Sequence, residues 1–242
     1  MMKNLFVNPG FLVNYLKPLS SWFGAIAVAL VGIGLWFSFY NSPIDYQQGN
    51  AVRIMYIHVP SAWMGMGIYA FIALSSFFGL VYGHVVAFSL AKAAAPIGAT
   101  FTAICLVSGS AWGKPMWGTW WVWDARLTSV LILFFFYISY IIFSKSFSDF
   151  SKGEKFSSFL SIIGLINLPI IKFSVDYWNT LHQPASISKI GSPSIHVDML
   201  IPLVIMFFSF IFIFLHLLVV RLQLELNNRR LNLKNMKSYG ES

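Results

Sequence analysis

The sequence predicts an all-α, polytopic membrane protein of six transmembrane helices, with both termini inside and a tryptophan-rich loop outside. Three observations predict it. Only 10% of the 242 residues are charged and 57% are hydrophobic, with a mean hydropathy of +0.71, whereas a soluble domain carries about a quarter charged residues. Apolar runs near 20 residues, enough to cross a hydrocarbon core of roughly 30 Å, recur along the chain. The basic residues also segregate to alternate loops.

The spans fall at about 22–40, 60–82, 93–112, 127–144, 157–175 and 199–220. Lys3 and Lys17 precede the first apolar run. That run is too long for a signal h-region and lacks an A-x-A-like cleavage site, so it is kept as a span. Pro60 suits the first turn of the second span. Ala94-x-x-x-Gly98 and Ala95-x-x-x-Ala99 put small residues on one face of the third, favouring close helix contact. The fourth span starts just after the tryptophan run. The fifth is interrupted by Pro169, and Lys172 near its end is placed to snorkel. The sixth leads into a basic tail, 221–242, able to form a surface helix facing acidic lipid.

Six spans put both termini on one side with loops 83–92 and 145–156. That side holds eleven of the 16 basic residues (Lys3, Lys17, Lys92, Lys145, Lys152, Lys155, Arg221, Arg229, Arg230, Lys234 and Lys237). Only Arg53, Lys114, Arg126, Lys172 and Lys189 lie opposite. The bias makes the termini cytoplasmic. The net charge of +8 thus reflects topology and lipid headgroups, and gives no reason to invoke nucleic acid. The single cysteine, Cys105, lies in an apolar segment and reads as a small buried hydrophobe. It cannot pair internally, and without C-x-x-C-H, covalent heme attachment of the c type is excluded. Gly-rich phosphate loops, nucleophile elbows, H-E-x-x-H helices and paired carboxylates are absent, so no ATP hydrolysis or other enzyme activity is expected. The loops hold no soluble domain of useful size, so any chemistry lies in or beside the membrane.

Three outer segments collect it: 41–59, 113–126 and 176–198. Five of the nine tryptophans (Trp112, Trp117, Trp120, Trp121 and Trp123) fall within one short run ending at Asp124-Ala-Arg126. Tryptophans at span ends also build interfacial belts. Five so close together, interleaved with Gly113, Pro115 and Gly118, read instead as a platform for a large flat partner. His58 and His182 lie at the same membrane depth, each followed two residues later by proline. If 178–182 is helical, Trp178 and His182 share a face. Two imidazoles are able to clamp a planar iron macrocycle from opposite faces, their ligating atoms on the order of 4 Å apart. Structural hydrogen bonding is the plainer role for either, and His196 competes with His182 as a second ligand. His84 and His216 belong to the cytoplasmic side. Arg53, Lys114 and Arg126 are the cations near these elements, arginine being the better match for carboxylates. Asp124 is suited to accept from an imidazole or indole, or to pair with Arg126.

Trp112-Gly-Lys-Pro-Met-Trp-Gly-Thr-Trp-Trp-Val-Trp-Asp-Ala-Arg-Leu-Thr128 resembles the WWD signature of heme-handling membrane proteins. Asp45-Tyr-Gln-Gln-Gly-Asn50, His58-Val-Pro60 and Trp178-Asn-Thr-Leu-His-Gln183 resemble the flanking motifs of one branch, the heme exporter protein C (CcmC) family of cytochrome c maturation. The likeness runs from about Asp45 to Gln183. It implies a bacterial inner-membrane protein that holds heme b noncovalently and transiently on its periplasmic face. It further implies presentation of that heme to the periplasmic chaperone CcmE, with the ABC transporter subunits CcmA and CcmB and the small protein CcmD as partners. On this chain it makes His58 and His182 the axial ligands and gives Trp112, Trp117, Trp120, Trp121, Trp123 and Asp124 to the platform. Arg53 and Arg126 go to the propionates, on charge more than motif. A cytochrome c synthetase shares the signature, but such proteins are generally larger and carry more outer histidines. A heme channel would need polar or small residues facing a lumen, and ionisable residues are scarce in the spans.

Overall fold

The computed structural model describes residues 9–147, 149–183, 187 and 194–240; Lys3, Pro184 and Lys189 lie outside the described residues, as do the side chains of Lys234 and Lys237. The described secondary structure is helical apart from one isolated bridge between Asp45 and Gly49. Helix α1 (Pro9–Trp36) ends in a widened turn, Phe37–Asn41. A short 3-10 turn, Asn50–Ile54, leads into α2 (Met55–Tyr82). Then come α3 (Val85–Trp117), α4 (Ala125–Phe143), α5 (Phe150–Gly164), α6 (Asn167–Tyr177) and α7 (Val197–Gly240). Among the described residues, six helical segments are long and apolar enough to cross a membrane, with α5 and α6 together making the fifth. This is a multi-pass membrane protein.

Helix ends follow local chemistry. Gly83 (φ 62°) lies just past α2 and Gly118 (φ 76°) just past α3, each in the left-handed conformation that glycine adopts without strain. Asp124 caps α4 by accepting from the Leu127 N–H at 2.8 Å, and Asp149 caps α5 through Ser151. The fifth span breaks at Leu165 and Ile166 rather than at Pro169. Pro169 is the third residue of α6, where its missing N–H would have had no intrahelical partner. Pro60 lies further inside its helix than the first turn, because α2 already starts at Met55.

Small residues set the core. Ala91, Ala93, Ala94 and Ala95 are fully buried, so α3 runs at the centre, against α2, α4 and α7. At Gly98 α4 comes close to α3: a Cβ there would collide with the Tyr137 ring and hydroxyl. The same hydroxyl donates to the Gly65 carbonyl at 2.7 Å, tying α4 to α2 across α3. Val28, Leu74, Phe135 and Ile163 remain on the outside of the bundle, the surface lipid covers. Inside a bilayer, packing and interhelical hydrogen bonds of this kind hold helices together, since apolar burial distinguishes them little from lipid.

The tail is no detached helix. It continues α7 and docks back on the bundle through buried Leu222 and Leu226. Arg221 donates to the Ala93 carbonyl at 3.2 Å, Lys92 pairs with Glu225 at 3.2 Å, and Arg229 pairs with Glu154. His216 belongs to the same structural work, its Nδ1 2.8 Å from the Ser20 carbonyl and its ring against Gly24 of α1.

Candidate functional site

At the opposite end, α2, α3, α4, α6 and the segment after α6 enclose a cavity of about 230 Å³. His58, in the first turns of α2, and His182, just past α6, both line it. Their ring centres stand 6.3 Å apart, with planes 33° from parallel.

Each imidazole is fixed through Nδ1. The His58 Nδ1 lies 3.0 Å from the Cys105 carbonyl oxygen of α3 and 3.2 Å from the Ser108 hydroxyl. A carbonyl only accepts, so Nδ1 carries the proton and Nε2 keeps its lone pair. The His182 Nδ1 likewise faces the Gln183 carbonyl at 3.2 Å. Burial first, then the positive charge of Arg126, holds the His182 pKa below the ordinary histidine value of 6.5. His182 therefore presents an unprotonated Nε2 near neutral pH, and in the neutral His58 ring the lone pair is likewise on Nε2. Such an outer-shell bond to the second nitrogen is what orients a metal-binding histidine.

Gly109 explains how α3 admits the His58 ring. A Cβ there would stand 2.9 Å from its Cε1. Gly113 plays the same part for Trp117, whose ring passes 3.0 Å from where a Cβ would be. The Trp112 ring meets His58 edge-on at 5.7 Å, and Trp117 lies 6.4 Å from His182. The Trp112 indole donates to Gln48 at 2.9 Å. Gln48 is delivered by a tight turn in which the Asp45 carboxylate accepts from the Gln47 and Gln48 N–H groups, closed by Gly49 at φ 57°. Among the described residues no group of three or more His, Cys, Asp or Glu is placed to hold a metal ion. Two imidazoles alone suit a metal that brings most of its own ligands, as a porphyrin iron does.

The family model described as "Heme exporter protein C" matches residues 2–237. The chain belongs to the heme exporter protein C family. It is 47% identical to the protein of that name from Bradyrhizobium diazoefficiens over 87% of this chain and 80% of that one. It is 48% identical to the one from Haemophilus influenzae, over 86% and 85%. A putative cytochrome c biosynthesis ccmC-like mitochondrial protein of Marchantia polymorpha is 52% identical over 75% and 76%.

Against that membership, the site residues expected from sequence divide in two. His58, His182, Trp112, Trp117, Trp121 and Arg126 all line the cavity. Trp120 and Trp123 are outside the lining and 59% and 75% exposed, and Trp112 and Trp117 belong to α3 rather than to a loop. Asp124 is buried and spends one oxygen on the α4 cap; Oδ2 has no hydrogen-bond partner, so neither an imidazole nor Arg126 is bonded to it. Arg53, in the turn before α2, is also outside the lining. Trp178 is extended, not helical, so it shares no helix face with His182. His196 is exposed and faces Asp198 at 3.5 Å. Gly109 and Lys172 also line the cavity, and neither was expected there from the sequence. Gln48 was flagged by its motif, but its contact with Trp112 is long-range and carries no local signal.

Proposed function

We propose that this protein binds heme b noncovalently between His58 and His182 at the periplasmic face of the inner membrane and presents it to the heme chaperone CcmE. The observation that carries the reading is the 6.3 Å separation of two rings whose Nδ1 atoms are both engaged by carbonyls. Two iron–nitrogen bonds of about 2 Å, with a little over an ångström from each nitrogen to its ring centre, span roughly 6 Å. Trp112, Trp117 and Trp121 supply apolar surface, and Arg126 faces a propionate. The periplasmic orientation rests on the basic residues gathered at the tail end of the bundle, opposite the cavity. CcmA, CcmB and CcmD are proposed as the companions of this assembly, with 1–220 as its membrane domain and 221–242 as its cytoplasmic tail. The relatives' names as exporters fit a carrier rather than a catalyst.

Transfer tests the reading. Heme-loaded protein in nanodiscs, mixed with soluble apo-CcmE, is expected to lose its Soret absorbance as the chaperone gains it. Heme retained throughout, or no heme bound at the start, contradicts the proposal.

Two further outcomes follow from the geometry. Gly109→Ala puts a methyl group against His58, and heme affinity is expected to fall about tenfold, or about 1.4 kcal/mol, with helicity by circular dichroism unchanged. Acid is expected to release heme only below pH 6.5, because the lowered His182 pKa keeps that ring neutral through the range where a free histidine begins to charge. Titrating the heme spectrum from pH 8 to pH 5 measures this; release already complete above pH 6.5 would contradict it.

A further inference from the structure

The cavity also holds a cation that the tryptophan signature does not include. Lys172, half-buried on α6, lines it together with Arg126. Resting on the heme-binding reading above, we propose that Lys172 is a binding residue for the second carboxylate of the same cargo, Arg126 taking the first.

Donor capacity limits Arg126 to one carboxylate. A guanidinium has five N–H groups. The Arg126 Nε donates to the Ser174 hydroxyl at 3.1 Å, and Nη2 donates to the Ile171 and Lys172 carbonyls, each at 3.3 Å. These bonds use three donors and pin the side chain to α6. The two N–H groups on Nη1 remain, enough for one carboxylate. Heme carries two propionates, and each needs a cation when held away from bulk water. Among the described residues, Lys172 is the other lysine or arginine lining the cavity; Arg53 and Lys114 are outside the lining, and Lys114 donates to the Gly118 carbonyl at 3.0 Å. Lys172 has contacts of its own within the protein, and an ammonium with three donors on a flexible stem is able to turn a hydrogen toward a propionate while staying in contact. The backbone joins the two cations: the carbonyl of Lys172 itself accepts from Arg126, so they are held as neighbours.

The test compares ferric protoporphyrin IX with its dimethyl ester, whose propionates carry no charge, on the full-length protein in nanodiscs. Wild type is expected to bind the free acid more tightly. Lys172→Gln should weaken the free acid about tenfold and leave the diester unchanged, with a low-spin two-imidazole spectrum in both complexes. Lys172→Arg should restore most of the free-acid affinity. Lys114→Gln, which removes a cation outside the cavity lining, should leave the preference as in wild type. Unchanged diester binding shows that the variant is folded. Equal losses for both porphyrins in Lys172→Gln, or no loss for either, would overturn the proposal while leaving histidine ligation standing. Loss of the preference in Lys114→Gln to the same degree would also overturn it, since the effect would then be one of overall charge.

Discussion

Replacing His58 and His182 together by glycine is expected to abolish the low-spin heme spectrum of the purified protein and lower heme affinity by at least about a hundredfold, or about 2.7 kcal/mol. The geometry also predicts more than simple loss. The His58 ring fills a place in the cavity wall, lodged against Gly109 and held by the Cys105 carbonyl, and His182 lines the same cavity. Free imidazole is therefore expected to enter the emptied places and restore the low-spin spectrum at millimolar concentration. Either single variant should retain one axial ligand and bind more weakly than wild type. A double variant with an unaltered spectrum would remove the basis of the heme site.

Gly98→Leu is expected to produce a large loss of stability. The added side chain would have to occupy the position of the Tyr137 ring, which is fully buried between α2, α3 and α4. Overpacking of this kind costs about 1–3 kcal/mol, and displacing Tyr137 also breaks its hydrogen bond to the Gly65 carbonyl. The expected readout is a fall of several degrees in the unfolding midpoint of the detergent-solubilised protein. Gly98→Ala should do less harm. Combining it with Tyr137→Phe should recover part of its loss, because the hydroxyl is among the atoms nearest the added methyl. A leucine variant as stable as wild type would mean that α3 and α4 do not approach this closely.

Most of the fold was legible because bilayer thickness and backbone hydrogen bonding allow few answers for repeated apolar runs near 20 residues. Helix ends were less so. The α3 helix runs through Trp112 to Trp117 despite Pro115, since nothing in the run forces a break before Gly118 reaches a positive φ. The docked start of the tail was also hidden, because Lys92, Glu154, Glu225 and Arg229 look like ordinary solvated charges until α7 brings them together.

The site was legible at the level of residue type. Unusual aromatic density and two histidines expected at one membrane depth marked the region, and in the structure those histidine rings lie 6.3 Å apart. Which tryptophans turn inward was not readable, because Trp120 and Trp121 are adjacent in sequence and only one of them lines the cavity. Charge logic alone could not choose among Arg53, Lys114 and Arg126. Arg53 and Arg126 have the same chemistry, but only Arg126 is steered into the cavity by its bonds to α6.

Pulsed electron paramagnetic resonance of the ferric heme complex, with histidine nitrogens isotopically labelled, most directly tests whether His58 and His182 share one iron. Two equivalent axial imidazole nitrogens are predicted in wild type and one in His182→Gly. A single imidazole coupling in wild type, or a high-spin iron that neither histidine alters, would contradict the account.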